Sequence, residues 1–241
     1  MTSHILCIFE GERRDIEYFE SLYRHFFSTE AKIQCSYGNN LYHLLRELEE
    51  DSDLDIVELI RESEIVPANE ELLRGIERDE IAQVFLFFDM EAQDTLYSAE
   101  KLHQLVECFG EETEFGKLYV SYPMVEALRH VPSWEDFMTL SVTAEQCRGK
   151  VYKGLSVQQP RVIPDDHRKL TRDHWQDLIN YTTTKARTLT DTTSPEFPSQ
   201  LAIAEKQSQV LKDDNKIYVM SAFPFFLREY FGEEIEGEVS S

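Results

Sequence analysis

Three acidic residues that directly follow apolar runs hold the chemistry this sequence suggests. Glu10 follows Ile5-Leu6-Cys7-Ile8-Phe9, and Asp89 with Glu91 follow Val84-Phe85-Leu86-Phe87-Phe88. Each run reads as a buried strand. An acid at that point sits at the carboxyl end of a strand, where an open α/β sheet collects its reactive groups. Asp89 and Glu91 lie two residues apart and point the same way if the extended conformation continues past the strand. If the two strands are neighbours in a parallel sheet, Glu10, Asp89 and Glu91 converge at one edge. Converging carboxylates repel one another unless a cation lies between them, and hard oxygen donors of this kind suit Mg²⁺ or Mn²⁺. The structural alternative is that Glu10 caps a helix and Asp89 begins a loop.

The elements that must position these acids follow from periodicity. Gly11 permits a tight turn, and Ile16, Phe19, Leu22, Tyr23 and Phe26 then recur at helical spacing behind an acidic first turn, Glu12 and Asp15. Residues 32–37 form a second strand closed by Gly38-Asn39-Asn40, and Leu41, Leu44, Leu45 and Leu48 mark a helix. Residues from about 50 to 80 read as an acidic helical insertion broken at Pro67, serving as a lid, a partner surface or plain scaffold. A helix containing Leu96, Leu102, Leu105, Val106 and Phe109 ends at Gly110, and residues 117–121 form a further strand. Pro123 fits the first turn of the next helix, with Glu126 on its exposed end.

Beyond residue 131 the character changes. Arg148, Lys150, Lys153, Arg161, Arg168, Lys169 and Arg172 are interleaved with Tyr152, His167, His174 and Trp175, the composition of a phosphate- or base-contacting surface. Arg148, Lys150 and Lys153 are the candidates to neutralise phosphate, and a solvated basic surface is the alternative. Helices are expected over residues 170–189 and 198–211, then a strand over 216–221 and an apolar closing helix. So apolar a strand must be paired, so it is expected to rejoin the main sheet. One domain with an appendage is the expected organisation, with boundaries at 1–130 and 131–241.

Composition bounds the function. The chain has 241 residues, 41% hydrophobic and 12% aromatic, as a globular protein does. Its formal charge of −22 repels a phosphate backbone at long range, although much of the acid is concentrated in residues 47–55 and in the tail after Phe231. No apolar run approaches the roughly 20 residues that span a bilayer, and the first residues lack the pattern of a signal peptide. A cytoplasmic protein without a membrane partner is expected. The four cysteines show no metal-ligand spacing, and Walker A, G-x-S-x-G and dinucleotide-binding glycine patterns are absent from the sequence.

Phe9-Glu10-Gly11-Glu12-Arg13-Arg14-Asp15-Ile16-Glu17-Tyr18-Phe19 resembles the E-G-x-x-T-E-x-x-Y-F opening of RloB-like proteins, bacterial phage-defence proteins of the TOPRIM group that also includes OLD-type nucleases. Arg14 stands where the family has Thr. The second TOPRIM motif, usually Asp-x-Asp, reads Asp89-Met90-Glu91, and Ser121-Tyr122-Pro123 with Glu126 resembles the family's S-N-P-x-F-E segment. The resemblance covers about residues 3 to 130. It implies an α/β fold, a TOPRIM-like mostly parallel sheet flanked by helices, with a helical insertion and a mainly helical C-terminal appendage. It further implies a Mg²⁺- or Mn²⁺-dependent nuclease cleaving phosphodiester bonds of DNA or RNA in anti-phage defence. Asp89 and Glu91 would be the principal metal ligands, Glu10 a ligand or the general base, and Asp15 and Glu126 further ligands. The alternative is a catalytically inactive TOPRIM-like binding or partner subunit of a defence complex, and a protein partner such as a separately encoded ATPase is compatible with either.

Overall fold

The computed structural model describes residues 4–27, 31–50, 54–193 and 196–235. In chain order the first part comprises β1 (His4–Phe9), α1 (Arg14–Phe26), β2 (Ala31–Ser36), α2 (Leu41–Glu50), α3 (Ile56–Arg61), α4 (Ala68–Leu72), β3 (Ile81–Asp89), α5 (Ala99–Cys108), β4 (Gly110–Glu111) and β5 (Gly116–Ser121). The second part adds α6 (Trp134–Thr139), β6 (Ser141–Thr143), α7 (Gly149–Leu155), α8 (Arg172–Leu189), α9 (Gln200–Asp214), β7 (Lys216–Tyr218) and α10 (Ala222–Phe231).

Four parallel strands and one antiparallel edge strand make the central sheet, in the order β2-β1-β3-β5-β4. Strands covered on both faces must be apolar throughout, which is why the runs in β1 and β3 are continuous and not alternating. Leu6, Cys7, Ile8 and Phe9 of β1 and Val84 to Phe88 of β3 are all buried. One face is an aromatic layer in which Phe9 and Phe87 meet Phe19 of α1 and Phe223 of α10, while Phe85 and Tyr119 meet Phe226 of α10. The chain leaves β1 to one side, towards β2, and returns to the other side as β3. The carboxyl ends of β1 and β3 therefore flank the point where the winding reverses, and there a crevice opens in α/β sheets.

The segment from 54 to 80 has a definite structural job. Asn69 of α4 accepts from the Ser36 N–H (3.2 Å) and donates to the Ser36 carbonyl (2.7 Å), completing the outer edge of β2. Such an edge is otherwise a row of unpaired backbone groups. Gly38 has φ of 76°, and a Cβ there would lie 2.7 and 2.8 Å from Val66 and Ile65, so this segment also seats the loop that follows β2. Residues 51–53 of the expected insertion lie outside the described residues.

Two expectations are corrected. β7 does not rejoin the parallel sheet but pairs antiparallel with β6 in a separate two-stranded sheet, and the residues after it meet the end of β5 through a Tyr122–Met220 bridge and the Ala222 N–H bond to Ser121 Oγ (3.2 Å). Its apolar residues, Ile217 with the following Val219 and Met220, are buried beside helices instead, and α10 covers the main sheet in the strand's place. Buried Lys185 fastens this region by donating to the carbonyls of Phe137 (2.6 Å), Leu140 (2.9 Å) and Val219 (3.0 Å), while burial pushes its pKa down to about 7. Secondly, Pro123 does not open an α-helix. The Tyr122–Pro123 bond is cis, Met124 is extended, and a short 3-10 turn, Val125–Arg129, follows with Glu126 buried instead of exposed. Among the described residues no helix is long and apolar enough to cross a membrane.

Candidate metal centre

Glu10 is the first residue past β1, yet its backbone stays in the sheet. Its N–H donates to Phe87 O (3.0 Å), and its carbonyl accepts from Gly38 N (3.1 Å). With the backbone held from both neighbouring strands, the side chain reaches across to β3, where its Oε2 accepts from the Asp89 N–H at 3.0 Å. The parallel register of β1 and β3, with Phe9 opposite Phe87, sets Glu10 and Asp89 side by side at the crevice.

Glu91 arrives by a different route from the one its spacing suggests. The strand ends at Asp89, and Glu91 has φ of 47°, in the left-handed region, so the extended conformation does not continue. A non-glycine residue there is uncommon and is held by its surroundings. Gln93 donates its side-chain amide to Glu91 Oε2, and Asp94 N donates to Glu91 O at 2.8 Å. Tyr42 donates its hydroxyl to Met90 O (2.5 Å), and Asn40 donates to Asp94 Oδ2 (2.8 Å), tying this loop to the start of α2. Carboxylate oxygens of Glu10, Asp89 and Glu91 lie within 4.8 Å of one another. Three oxygens around a single Mg²⁺ at roughly 2.1 Å lie about 3 to 4 Å apart, so closing on an ion asks each side chain to move by up to roughly 1 Å.

Two further acids close the site. Asp15, in the first turn of α1 and 7% exposed, folds back over Gly11, where a Cβ would stand 3.0 Å from Asp15 Oδ2. Glu126, 3% exposed, enters from the turn after β5. Together with Glu12 the five acids line a pocket of about 530 Å³ whose lining cations are Arg13, Arg14 and Lys153. Lys153 Nζ is 3.7 Å from Glu126 Oε1, and Arg13 and Arg14 share Glu17 at 3.0 and 3.4 Å.

The electrostatics follow from burial. Asp89 is 9% exposed, and its Oδ1 and Glu126 Oε2 are buried without a hydrogen-bond partner. Burial first, then the charges of Glu10, Asp15, Glu91 and Glu126, pushes the Asp89 pKa well above the usual carboxylate range. Burial also raises Glu10 to about 8, against the opposing hydrogen bond from Asp89 N, and Asp15 to about 7. Glu91 is raised mainly by burial and then by Asp94. Without a cation the pocket therefore holds protons, and a divalent ion would compete with them for the same oxygens.

The expected basic surface is not assembled as its composition suggests. Only Lys153 of the three phosphate candidates lines the pocket; Arg148 and Lys150 are exposed outside its lining. Arg161 and buried Arg129 share Asp165, and Arg168 pairs with Asp166. Tyr152 and Trp175 are fully buried, the latter donating its indole N–H to Ser21 Oγ (3.1 Å), so neither is a platform for a base. Sequence reasoning passed over Arg13 and Arg14, although only Glu12 separates them from the Glu10-Gly11 turn. It also took Gly38-Asn39-Asn40 for a turn alone, whereas all three line the pocket. No protein-family model, no curated protein and no solved structure matches this chain.

Proposed function

We propose that this chain is a TOPRIM-like hydrolase of nucleic-acid phosphodiester bonds that uses Mg²⁺ or Mn²⁺ held by Glu10, Asp89 and Glu91. The observation that carries this reading is the buried, unpartnered Asp89 Oδ1 in a pocket with five other carboxylates. Leaving such a group without a proton or a cation is costly, and the hydrogen bond from Asp89 N to Glu10 and the Lys153–Glu126 contact leave Asp89 Oδ1 itself without a partner. A divalent ion bound there would polarise a phosphate and make its bound water a stronger acid. Lys153 and Arg14 stand at the pocket to hold the phosphate, and Asp15, buried beside the ligand set, would accept a proton from the attacking water. The likeness of the opening motif to RloB-like proteins supports an anti-phage role.

The reading is tested with end-labelled single-stranded DNA and RNA incubated with the full chain. Cleavage is expected in Mn²⁺ or Mg²⁺, none in EDTA, and recovery when metal is added back in excess. Equal turnover with and without EDTA would refute the metal-dependent mechanism, and no turnover of any strand at saturating Mn²⁺ would favour the inactive binding-subunit reading.

A further inference from the structure

We infer that the pocket takes a short nucleotide phosphodiester, with one to three phosphates engaged, and does not track the continuous backbone of a long strand; this rests on the hydrolase reading above. A protein that follows a polynucleotide makes on the order of 6 to 10 phosphate contacts and lines its groove with aromatic platforms. Three cations line this pocket, and they too have carboxylate neighbours, Arg13 and Arg14 sharing Glu17 and Lys153 standing beside Glu126, so three phosphate contacts is an upper bound for its lining. Of the basic residues that might have extended the track, Arg161 is spent on Asp165, Arg168 on Asp166, and Arg172 on the His25 carbonyl and the Phe26 ring, while Arg148 and Lys150, exposed on either side of the pocket-lining Gly149, would add two contacts and still leave the total short of such a track. The aromatics that might have stacked bases, Tyr152 and Trp175, are buried in the core.

Charge and size point the same way. A chain with a formal charge of −22 repels every phosphate outside the reach of the three pocket cations, so added nucleotides bring more repulsion than contact. The volume of about 530 Å³ lies within the roughly 300 to 1,000 Å³ of small-molecule sites. The reaction needs no co-reactant but water. A water oxygen forms a bond to phosphorus, the bond from phosphorus to the leaving sugar oxygen breaks, and that oxygen takes up a proton equivalent to the one the water gives up.

The test compares a thymidine trinucleotide with a thymidine 30-mer, and the matching uridine probes, on the full chain with 1 mM Mn²⁺. Cleavage per scissile bond is expected to differ by no more than fivefold between lengths. The log–log salt slope of binding should be no steeper than about −2 for either length, since three single-strand phosphate contacts contribute about 0.7 each. More than fivefold preference for the 30-mer, a slope that steepens with length, or cleavage of neither probe overturns the inference. Calorimetry with Mn²⁺ alone separates its failure from that of the site: metal binding with a long-strand preference leaves the metal centre standing, and absence of metal binding removes both.

Discussion

Asp89→Asn is expected to lower metal-dependent cleavage by about a hundredfold or more while making the metal-free protein more stable. The two effects have one cause. Asp89 stands at the end of β3 with its carboxylate buried, Oδ1 unpartnered, and the charges of Glu10, Asp15, Glu91 and Glu126 around it. A cation turns those neighbours from a liability into a ligand set, and removing one ligand charge weakens it. Without the cation Asp89 must either keep a buried, repelled charge or take up a proton at neutral pH, and a neutral isostere avoids that cost. Relief on the order of 1 kcal/mol would raise the midpoint of thermal unfolding by about 2 to 4 °C in a chain of this size. The Asp89 backbone N–H still reaches Glu10 Oε2, so the link between β1 and β3 survives the change. Calorimetric unfolding in EDTA and cleavage rates in Mn²⁺ read the two effects separately. A variant that is less stable without metal, or that cleaves like the parent, contradicts the assignment of Asp89.

The second large effect is in pH. Glu10 and Asp15 have pKa values raised to about 8 and about 7 in the folded chain, against roughly 4 in the unfolded chain. A carboxyl group with a raised folded pKa binds its proton more tightly when folded. Its contribution to stability is therefore full below about pH 4 and is lost as pH rises through about 7 and then about 8, at up to about 1.4 kcal/mol per pH unit for each proton involved. A divalent ion favours the ionised form, so its stabilisation should grow over the same window. Other groups titrate nearby: burial lowers His130 to about 4 and Lys185 to about 7. Both lie outside the lining of the pocket and affect both curves alike, so the difference between unfolding midpoints in Mn²⁺ and in EDTA isolates the site. That difference is expected to widen from pH 6 to pH 8. A constant or shrinking difference would mean that these carboxylates do not exchange protons for metal.

Much of this was legible because it depends on local pattern. An unbroken apolar run followed by an acid marks a buried strand and what stands at its carboxyl end, and so β1 with Glu10 and β3 with Asp89 were readable as strands ending in carboxylates, while their being neighbours entered only as a condition that the parallel β1–β3 pairing meets. Glu91 shows where local pattern stops. Its carboxylate reaches the others through a left-handed backbone held by Gln93 and by the Tyr42 contact to Met90, and no two-residue rule contains that turn. The basic and aromatic stretch misled for a related reason, since composition does not say which of Tyr152, Trp175 and Arg161 face inward or are already paired. Likewise the apolar strand near the C-terminus was bound to be covered, but whether by a neighbouring strand or by helices depends on packing between distant elements. Asn69 reaching Ser36, 33 residues away in sequence, is of the same kind.

The central claim is that Glu10, Asp89 and Glu91 hold a divalent cation. A crystal of the full chain soaked in Mn²⁺ and measured at the manganese absorption edge tests it most directly. An anomalous peak is expected among these three carboxylates, with oxygen contacts of roughly 2.1 to 2.2 Å and with Asp89 Oδ1, unpartnered in the metal-free chain, among the ligands. A soaked crystal with no anomalous density in the pocket at millimolar Mn²⁺, its carboxylates still apart, would contradict it.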